Sequence, residues 1–264
     1  MITLSINGNS IQASEGMTVL EAARQEGIEI PTLCYLKALG PFGVCRLCIV
    51  EANGPGLIPA ILPCCNLKVF EGLVITTDSS VIHEIRRTMI ELLLASSPLS
   101  ESLRELAIKF GVDASRFTPD KKDPCILCGL CVRVCRDRIG ASALSFAGSD
   151  CNRHVVAEEI RMNKEACIGC GTCANICPVQ AIKLEDMEND RKIFLYGEVA
   201  SRFELVKCDI CGMPHTTQEF IDSVVSRLNE EQKKGVRNLC PECARHHYAE
   251  AMTGQFPAGV RGDR

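Results

Sequence analysis

Eighteen of the 264 residues are cysteines, and all but Cys151 fall into groups with metal-ligand spacing. Two groups are one pattern written twice. Cys125, Cys128, Cys131 and Cys135, then Cys167, Cys170, Cys173 and Cys177, each read C-x2-C-x2-C-x3-C, with Pro178 following the second. That spacing presents thiolates to the iron atoms of a [4Fe–4S] cluster. Upstream, Cys34, Cys45, Cys48 and the adjacent pair Cys64-Cys65 offer the four thiolates that a [2Fe–2S] rhomb takes. Gly40, Pro41 and Gly43 lie in the first of those loops, where they suit a tight backbone wrap with amides turned toward sulfur. A chain organised around several such groups is suited to one-electron transfer.

The last group is Cys208-x2-Cys211-Gly212 and Cys240-Pro241-x-Cys243, with 28 residues between the pairs. This is zinc-ribbon or rubredoxin-like spacing, which sets four sulfurs tetrahedrally around zinc or iron. The same four cysteines are also compatible with a further [4Fe–4S] cluster. Structural zinc is the preferred expectation, because two tight knuckles across a long insert suit a closed tetrahedral site. His215, His246 and His247 lie near, but four cysteines already complete the coordination. Cys151 has no partner pattern and is expected to be a free buried thiol.

The motifs that are missing limit the chemistry. There is no G-x-G-x-x-G, no G-x4-G-K-[ST], no nucleophile elbow or triad, and no recognisable ligand set for a nickel or diiron centre. The chain is therefore not expected to bind a nicotinamide or activate a substrate on its own. Net charge of −4 leaves no basic footprint for nucleic acid. Abundant cysteine also occurs in secreted disulfide scaffolds. Length and C-x2-C pairing argue against that here, and Met1–Ser5 lacks the basic and apolar regions of a signal peptide. A reducing, cytoplasmic setting is expected. No apolar run reaches the roughly 18 residues of a membrane span; Gly56–Cys65 is broken by Pro59 and Pro63. Apolar residues make up 46% of the chain but aromatics only 5%, with no Trp, a balance that small metal-bound cores tolerate because metal bonds add folding energy.

The elements that must position these cysteines can be read around them. Ile2, Leu4 and Ile6 alternate, Asn7-Gly8 signals a type I′ turn, and Ile11 and Ala13 continue a hairpin. Thr18 with Glu21 forms a capping box, Val19, Leu20, Ala22 and Ala23 give an apolar face, and Gly27 is placed to end the helix. A strand is expected at Leu73–Thr77. These are the marks of a β-grasp unit. From Ser79 to Gly111, Ile82, Ile85, Met89, Leu92 and Leu93 form one helical stripe, Pro98 interrupts it, and Leu103, Leu106 and Phe110 form a second. Lys121-Lys122-Asp123-Pro124 is a polar lead-in to the twin motif. Phe220, Val224, Val225 and Leu228 predict a helix between the last cysteine pairs, and Gly254–Arg264 reads as a loose tail.

Residues 1–78 resemble the N-terminal [2Fe–2S] domain of the large iron–sulfur subunit of respiratory complex I, with related domains in NAD-linked [NiFe] and [FeFe] hydrogenases and NAD-linked formate dehydrogenases. Pro31-Thr32-Leu33-Cys34, Gly43-Val44-Cys45-Arg46-Leu47-Cys48 and the segment Pro63–Thr77 carry the likeness. In that family a glycine seven residues after the last ligand opens the closing strand. Gly72 stands seven after Cys65, so the resemblance implies Cys34, Cys45, Cys48 and Cys65 as ligands and Cys64 as a bystander. The family continues with a cluster bound by one His and three Cys in a pattern like H-P-x-D-C-x2-C. Here Pro98 is kept, but Ser97 stands at the His position and Glu101 and Arg104 at two Cys positions. The helical part is thus expected without that cluster, and His83, with no cysteine beside it, as an ordinary histidine. The twin motif fits the same family, whose members also lack proline at the position of Arg136. The resemblance runs to about residue 186; the part after Asp190 is outside it.

In such two-cluster domains the fourth cysteine of each motif reaches across to the other cluster. This implies Cys125, Cys128, Cys131 and Cys177 for one [4Fe–4S] cluster and Cys135, Cys167, Cys170 and Cys173 for the other. Arg133, Arg136 and Arg138 flank the first motif and are expected to be solvated, to raise the potential of a cluster or to touch a partner. The fold expected is α+β and modular: a [2Fe–2S] β-grasp domain over 1–78, a helical linker over 79–118, a ferredoxin-like two-[4Fe–4S] domain over 119–188 and a four-cysteine metal module with tail over 189–264. By resemblance the chain is an electron-transfer subunit of an NAD(P)-linked oxidoreductase, between a flavoprotein subunit that oxidises NAD(P)H and a hydrogenase or formate dehydrogenase subunit. The number of clusters also fits a flavin-based electron-bifurcating complex that uses ferredoxin. The alternatives are a freestanding polyferredoxin and a metal-bound nucleic-acid regulator, the latter opposed by the charge.

Overall fold

A computed structural model describes residues 1–112, 116–117, 124–151, 154–233 and 236–253. The lead-in Lys121-Lys122-Asp123, the tail from Gly254 and the side chain of Cys151 lie outside what is described.

The first strands, β1 (Ile2–Ile6) and β2 (Asn9–Ala13), form the expected hairpin. Asn7 and Gly8 take φ of 53° and 82°, the left-handed pair that a tight hairpin turn requires. Helix α1 (Val19–Gln25) starts at a complete capping box. The Thr18 side chain accepts from the Glu21 backbone N–H, and the Glu21 carboxylate accepts from Thr18 N at 2.8 Å. Strands β3 (Ile49–Gly54), β4 (Leu57–Pro63) and β5 (Val74–Thr76) complete a five-stranded sheet in the order β2-β1-β5-β3-β4. β5 lies parallel to β1 and antiparallel to β3, so the chain crosses over one face with α1 to reach it. Leu4, Ile6, Val19, Leu20, Val50, Leu73 and Ile75 fill the space between helix and sheet. Leu20 is fully buried there, and truncating such a residue to Ala typically costs about 2–5 kcal/mol.

Helices α2 (Ser80–Ser96) and α3 (Glu101–Lys109) are separated at Pro98, and Ser79 and Ser100 cap their N-termini. The buried face of α2 differs from the predicted stripe. Ile82, Arg86 and Ile90 are buried, whereas Leu92 is exposed. The face is set by a buried arginine, not by apolar residues alone. Arg86 donates Nε to Leu47 O at 3.0 Å, Nη1 to Thr77 O at 3.0 Å and Nη2 to Ile49 O at 2.8 Å. Those carbonyls flank Cys48 and close β5, so one guanidinium ties α2 to the cysteine loop and satisfies three acceptors that burial would otherwise leave costly.

Helix α4 (Leu130–Val134) follows Gly129, runs into a π-helical turn over Cys135–Ile139 and stops at Gly140, whose φ is 81°. Strands β6 (Leu144–Cys151) and β7 (His154–Met162) form a hairpin, and α5 (Thr172–Asn175) follows Gly171. Next come β8 (Ile182–Met187), β9 (Asp190–Leu195), β10 (Glu198–Lys207) and β11 (Pro214–Thr217), an antiparallel sheet in the order β11-β10-β9-β8. Helices α6 (Gln218–Val225), α7 (Glu230–Lys233) and α8 (Pro241–Thr253) finish the chain. The architecture is mixed helix and sheet, with the cysteine groups at the seams between units. Among the described residues no helix is long and apolar enough to cross a membrane.

Candidate iron–sulfur and metal centres

The first cysteine group sits where the loop after α1 meets the end of β4. Cys34, Cys45, Cys48, Cys64 and Cys65 are all buried, and the sulfurs of Cys34 and Cys45 are 3.3 Å apart. The Cys45 thiol holds Cys34 down to about 6, and the thiols of Cys64 and Cys65 hold Cys48 down to about 3, both against the opposing pull of burial. Cys65 is pushed up first by its bond to Cys48, then by burial, and it also feels Cys34 and Cys45. Cys64 is pushed up by the same bond, but its other neighbours are Cys65 and the Arg86 guanidinium. Both thiols thus bond to Cys48, and they differ in that Cys65 feels Cys34 and Cys45 while Cys64 feels Arg86.

The twin motifs line two cavities. One is walled by Cys125, Cys128, Cys131 and Cys177. The other is walled by Cys135, Cys167, Cys170 and Cys173. Each draws three cysteines from one motif and one from its twin. The remaining lining is apolar, including Ile160 and Ile182 in the first and Leu144 and Ile193 in the second. Burial pushes Cys128 up to about 12 and Cys173 up to about 12, and drives Cys131 up as well. Thiols in such a setting resist ionisation unless cations replace their protons, which is what bound iron does. Backbone N–H groups are already aimed at sulfur, from Leu127 to Cys125 at 3.3 Å, Ala143 to Cys135 at 3.3 Å and Ala181 to Cys177 at 3.2 Å. Glycines beside the cavities serve by their conformation. Gly129 and Gly171 have φ of 71°, and a Cβ on Gly171 would stand 2.3 Å from Leu184 Cδ1. The largely apolar walls and the four thiols of each cavity fit cubane clusters.

The C-terminal group is of another kind. The ligand atoms of Cys208, Cys211, Cys240 and Cys243 lie within 4.8 Å of one another, with Cys211 and Cys240 sulfurs 3.8 Å apart. Four sulfurs about 2.3 Å from a single tetrahedral ion are separated by about 3.8 Å. Among the described residues no other group of three or more possible ligands gathers this tightly. Each knuckle is built on backbone bonds: Gly212 N donates to Cys208 O at 3.0 Å, Cys240 N to the Cys208 sulfur at 3.3 Å and Cys243 N to the Cys240 sulfur at 3.4 Å. His215 does not join the sulfurs; its Nε2 is 3.0 Å from Asn238 Oδ1.

The groups follow one another through the molecule. Cys34 and Cys45 share an apolar cluster with Cys128 and Leu130, and Cys34 is near enough to act on the Cys128 thiol. Cys131 and Cys173 meet in the next cluster. Cys170 then lines a cavity with Asn238, Leu239 and Pro241, beside the last group. The three arginines around the first motif divide by partner. Arg136 pairs at the surface with its neighbour Asp137 at 2.6 Å. Arg133 is buried, donates Nη2 to Leu39 O and to Gly40 O at 3.2 Å, and lies over the Phe42 ring at 5.0 Å. Arg138 donates to Ala38 O. Arg133 and Arg138 thus both grip the loop between Cys34 and Cys45. Where the family pattern has its His, Ser97 is buried and donates to Pro124 O at 2.6 Å, while Ser102 donates to Pro178 O. His83 pairs with Asp78 at the surface.

Two families of known proteins match parts of the chain. Residues 1–80 match the family described as 2Fe-2S iron-sulfur cluster binding domain, and residues 124–181 the family described as 4Fe-4S dicluster domain. Over 170 residues the chain is 34% identical to a subunit of the NADH-quinone oxidoreductase of Rhizobium meliloti, covering 54% of this chain and 20% of that one. Over 168 residues it is 32% identical to the alpha chain of the NADPH-Fe(3+) oxidoreductase of Geobacter sulfurreducens, covering 54% of this chain and 20% of that one. The chain thus spans 20% of the length of each of these relatives. A chain in the crystal structure of an NAD+-reducing [NiFe]-hydrogenase in the H2-reduced state superposes with a TM-score of 0.50 at 35% identity, covering 56% of this chain and 71% of that one.

Proposed function

We propose that this chain, with its 2Fe–2S and 4Fe–4S dicluster domains, is the electron-transfer subunit of an NAD(P)-linked oxidoreductase complex. The observation that carries the reading is the continuous succession of cysteine groups from the β-grasp loop through both cavities. Clusters bound there supply one-electron transfer between a flavoprotein that oxidises NAD(P)H and a catalytic subunit, hydrogenase or formate dehydrogenase. The chain's own residues space the thiols, keep the cavities apolar and aim N–H groups at sulfur, which favours the reduced cluster by hydrogen bonding. The relatives' names support a nicotinamide-linked partner, and the hydrogenase likeness supports the choice of catalytic subunit.

The ligands proposed for the [2Fe–2S] cluster are Cys34, Cys45, Cys48 and Cys65. Those for the first cubane are Cys125, Cys128, Cys131 and Cys177, and for the second Cys135, Cys167, Cys170 and Cys173. A single zinc ion is proposed at Cys208, Cys211, Cys240 and Cys243, supported by the close spacing of their sulfurs. A reducing, cytoplasmic compartment suits so many thiolates.

Anaerobic native purification with mass-spectrometric identification of co-purifying chains tests the reading. A flavoprotein together with a hydrogenase or formate dehydrogenase subunit is the expected result. A chain that purifies alone with its clusters would make it a mobile carrier instead. Electron bifurcation through ferredoxin is tested on the same complex, supplied with NAD(P) and ferredoxin separately and together; full turnover with NAD(P) alone rules it out.

A further inference from the structure

We infer that the C-terminal metal centre acts as a positioning lock on the ligand loop of the second cubane, transmitted through Asn238, His215 and Arg191. The inference rests on the mononuclear reading of the four-cysteine site, and adds to it a task that neither iron–sulfur domain assigns.

Asn238 precedes the second knuckle by two residues and ties it to the first. Its backbone N–H donates to Asp209 Oδ2 at 2.9 Å, its carbonyl accepts from Asp209 N at 2.8 Å, and its side-chain Nδ2 donates to Lys207 O at 2.7 Å. Lys207 and Asp209 flank Cys208, so Asn238 bridges the same two knuckles that a shared metal ion would hold together. The remaining polar atom, Asn238 Oδ1, is 3.0 Å from His215 Nε2. The backbone oxygen of His215 accepts from Arg191 Nη2 at 3.2 Å. Arg191 is buried, braced by two bonds of 2.8 Å to Asp186, and its Nη1 donates to Gly169 O at 3.0 Å.

Gly169 lies between Cys167 and Cys170, in the turn that lines the second cavity. Two residues after His215, the fully buried Thr217 donates to Ile168 O at 2.6 Å. The loop is pressed closely on this support: with φ of 68°, Gly169 would place a Cβ 2.6 Å from Thr217 Cγ2 and 2.9 Å from Phe203 Cδ2. Two consecutive carbonyls of the cluster loop, Ile168 and Gly169, are therefore fixed by β9 and β11. β11 in turn is pinned at His215 by the residue that joins the knuckles. The first cavity is held differently; Pro124 and Pro178, the chain neighbours of its Cys125 and Cys177, are tied by Ser97 and Ser102 from the segment of α2 and α3.

The full-length, cluster-loaded chain tests this as wild type, as Asn238→Ala and as Arg191→Lys, with Cys243→Ser as the metal-free form. Elemental analysis reads zinc and iron, and EPR with potentiometric titration reads each cluster. Asn238→Ala is expected to keep its zinc and iron while shifting the g-values and midpoint potential of the second cubane alone. Arg191→Lys should shift the same cluster, and the double variant no further than the larger single change, because both cut one chain of contacts. Cys243→Ser should lose zinc and shift or lose the second cubane, leaving the [2Fe–2S] and first cubane signals in place. Unchanged second-cubane signals in Asn238→Ala, additive shifts in the double variant, or equal shifts in all clusters would each overturn the lock. Should Cys243→Ser fail to fold, the Asn238→Ala and Arg191→Lys pair decides alone. Wild-type protein containing additional iron in place of zinc overturns the zinc assignment, while the response of Asn238→Ala still decides the lock.

Discussion

Cys64 and Cys65 are adjacent, equally buried and chemically identical, yet they face different neighbours. Both bond to Cys48, but Cys65 also feels the thiols of Cys34 and Cys45, whereas Cys64 feels the Arg86 guanidinium. Cys64→Ser is therefore expected to keep the [2Fe–2S] EPR signal and Cys65→Ser to lose it; the reverse outcome would exchange the two roles. Spacing alone made every cysteine group readable, because metal ligands must recur at fixed intervals. The polar residues that position those groups were not readable. Arg86, Arg133, Arg191 and Asn238 are residue types that normally sit in water, and nothing in their local sequence says that each finds distant backbone carbonyls. Arg133 and Arg138 illustrate the limit: both stand beside a cluster motif, but their partners are about a hundred positions away in the chain. The lost His position was visible as Ser97, whereas its bond to Pro124 was not.

Helix α1 was readable almost completely, since a capping box, an apolar face and a terminal glycine agree on it. Its cap does more than start a helix. The Glu21 carboxylate accepts from Thr18 and also from the Tyr35 hydroxyl at 3.1 Å, one residue past Cys34. The Thr18 N–H holds the Glu21 carboxyl below the usual carboxylate range, against some opposition from burial. A carboxyl lowered in the folded state stabilises fully above its unfolded pKa, about 4.3, and that contribution fades as pH falls through the lower folded value. Glu21→Gln should thus be less stable than wild type at neutral pH by about 1 kcal/mol or less, given its partial exposure. The difference should close as the solution is acidified below pH ~4. Denaturant unfolding followed across that range checks it, and a constant difference would show that the ionised carboxylate is not responsible. The strands β8 to β10 carry a weaker signal than α1. Their alternation is interrupted by charged residues, and Arg191 is buried where the period-two pattern would place an apolar side chain. For α2 the apolar period was real, but the buried arginine turned the helix so that Leu92 faces out.

The iron–sulfur units are joined by contacts that are polar and buried as well as apolar. Ile90, Ala107 and Val112 join Cys34 and Leu47 to Cys128 and Leu130 in one cluster, and Arg133 reaches from the dicluster helix to the β-grasp loop. One atom of Arg133, Nη1, is buried with no partner, so the side chain is held at some cost by its remaining bonds and by the Phe42 ring. Arg133→Ala is expected to destabilise the chain by about 1–3 kcal/mol and to expose the loop of residues 38–42 to proteolysis, with both cubane EPR signals retained. Loss of the cubanes in this variant would mean that Arg133 supports the cluster sites themselves and not the joint. The order of the units and the pairing of the twin motifs were legible, but the apolar cluster that sets the β-grasp cysteines beside Cys128 emerged only from the folded chain.

The interleaving of the two cavities bears on how the protein is made. Each takes three cysteines from one motif and one from the other, and their walls also need Ile193 and Leu195 from β9 and Tyr196 just after it. A ribosome that has released only the first motif has therefore completed neither receptacle. On the ligand sets proposed above, the walls of neither cubane site are complete until translation has passed β9. A chain ended before Cys177 would carry every ligand proposed for the second cubane but not Ile193 of its wall, and would lack one ligand proposed for the first.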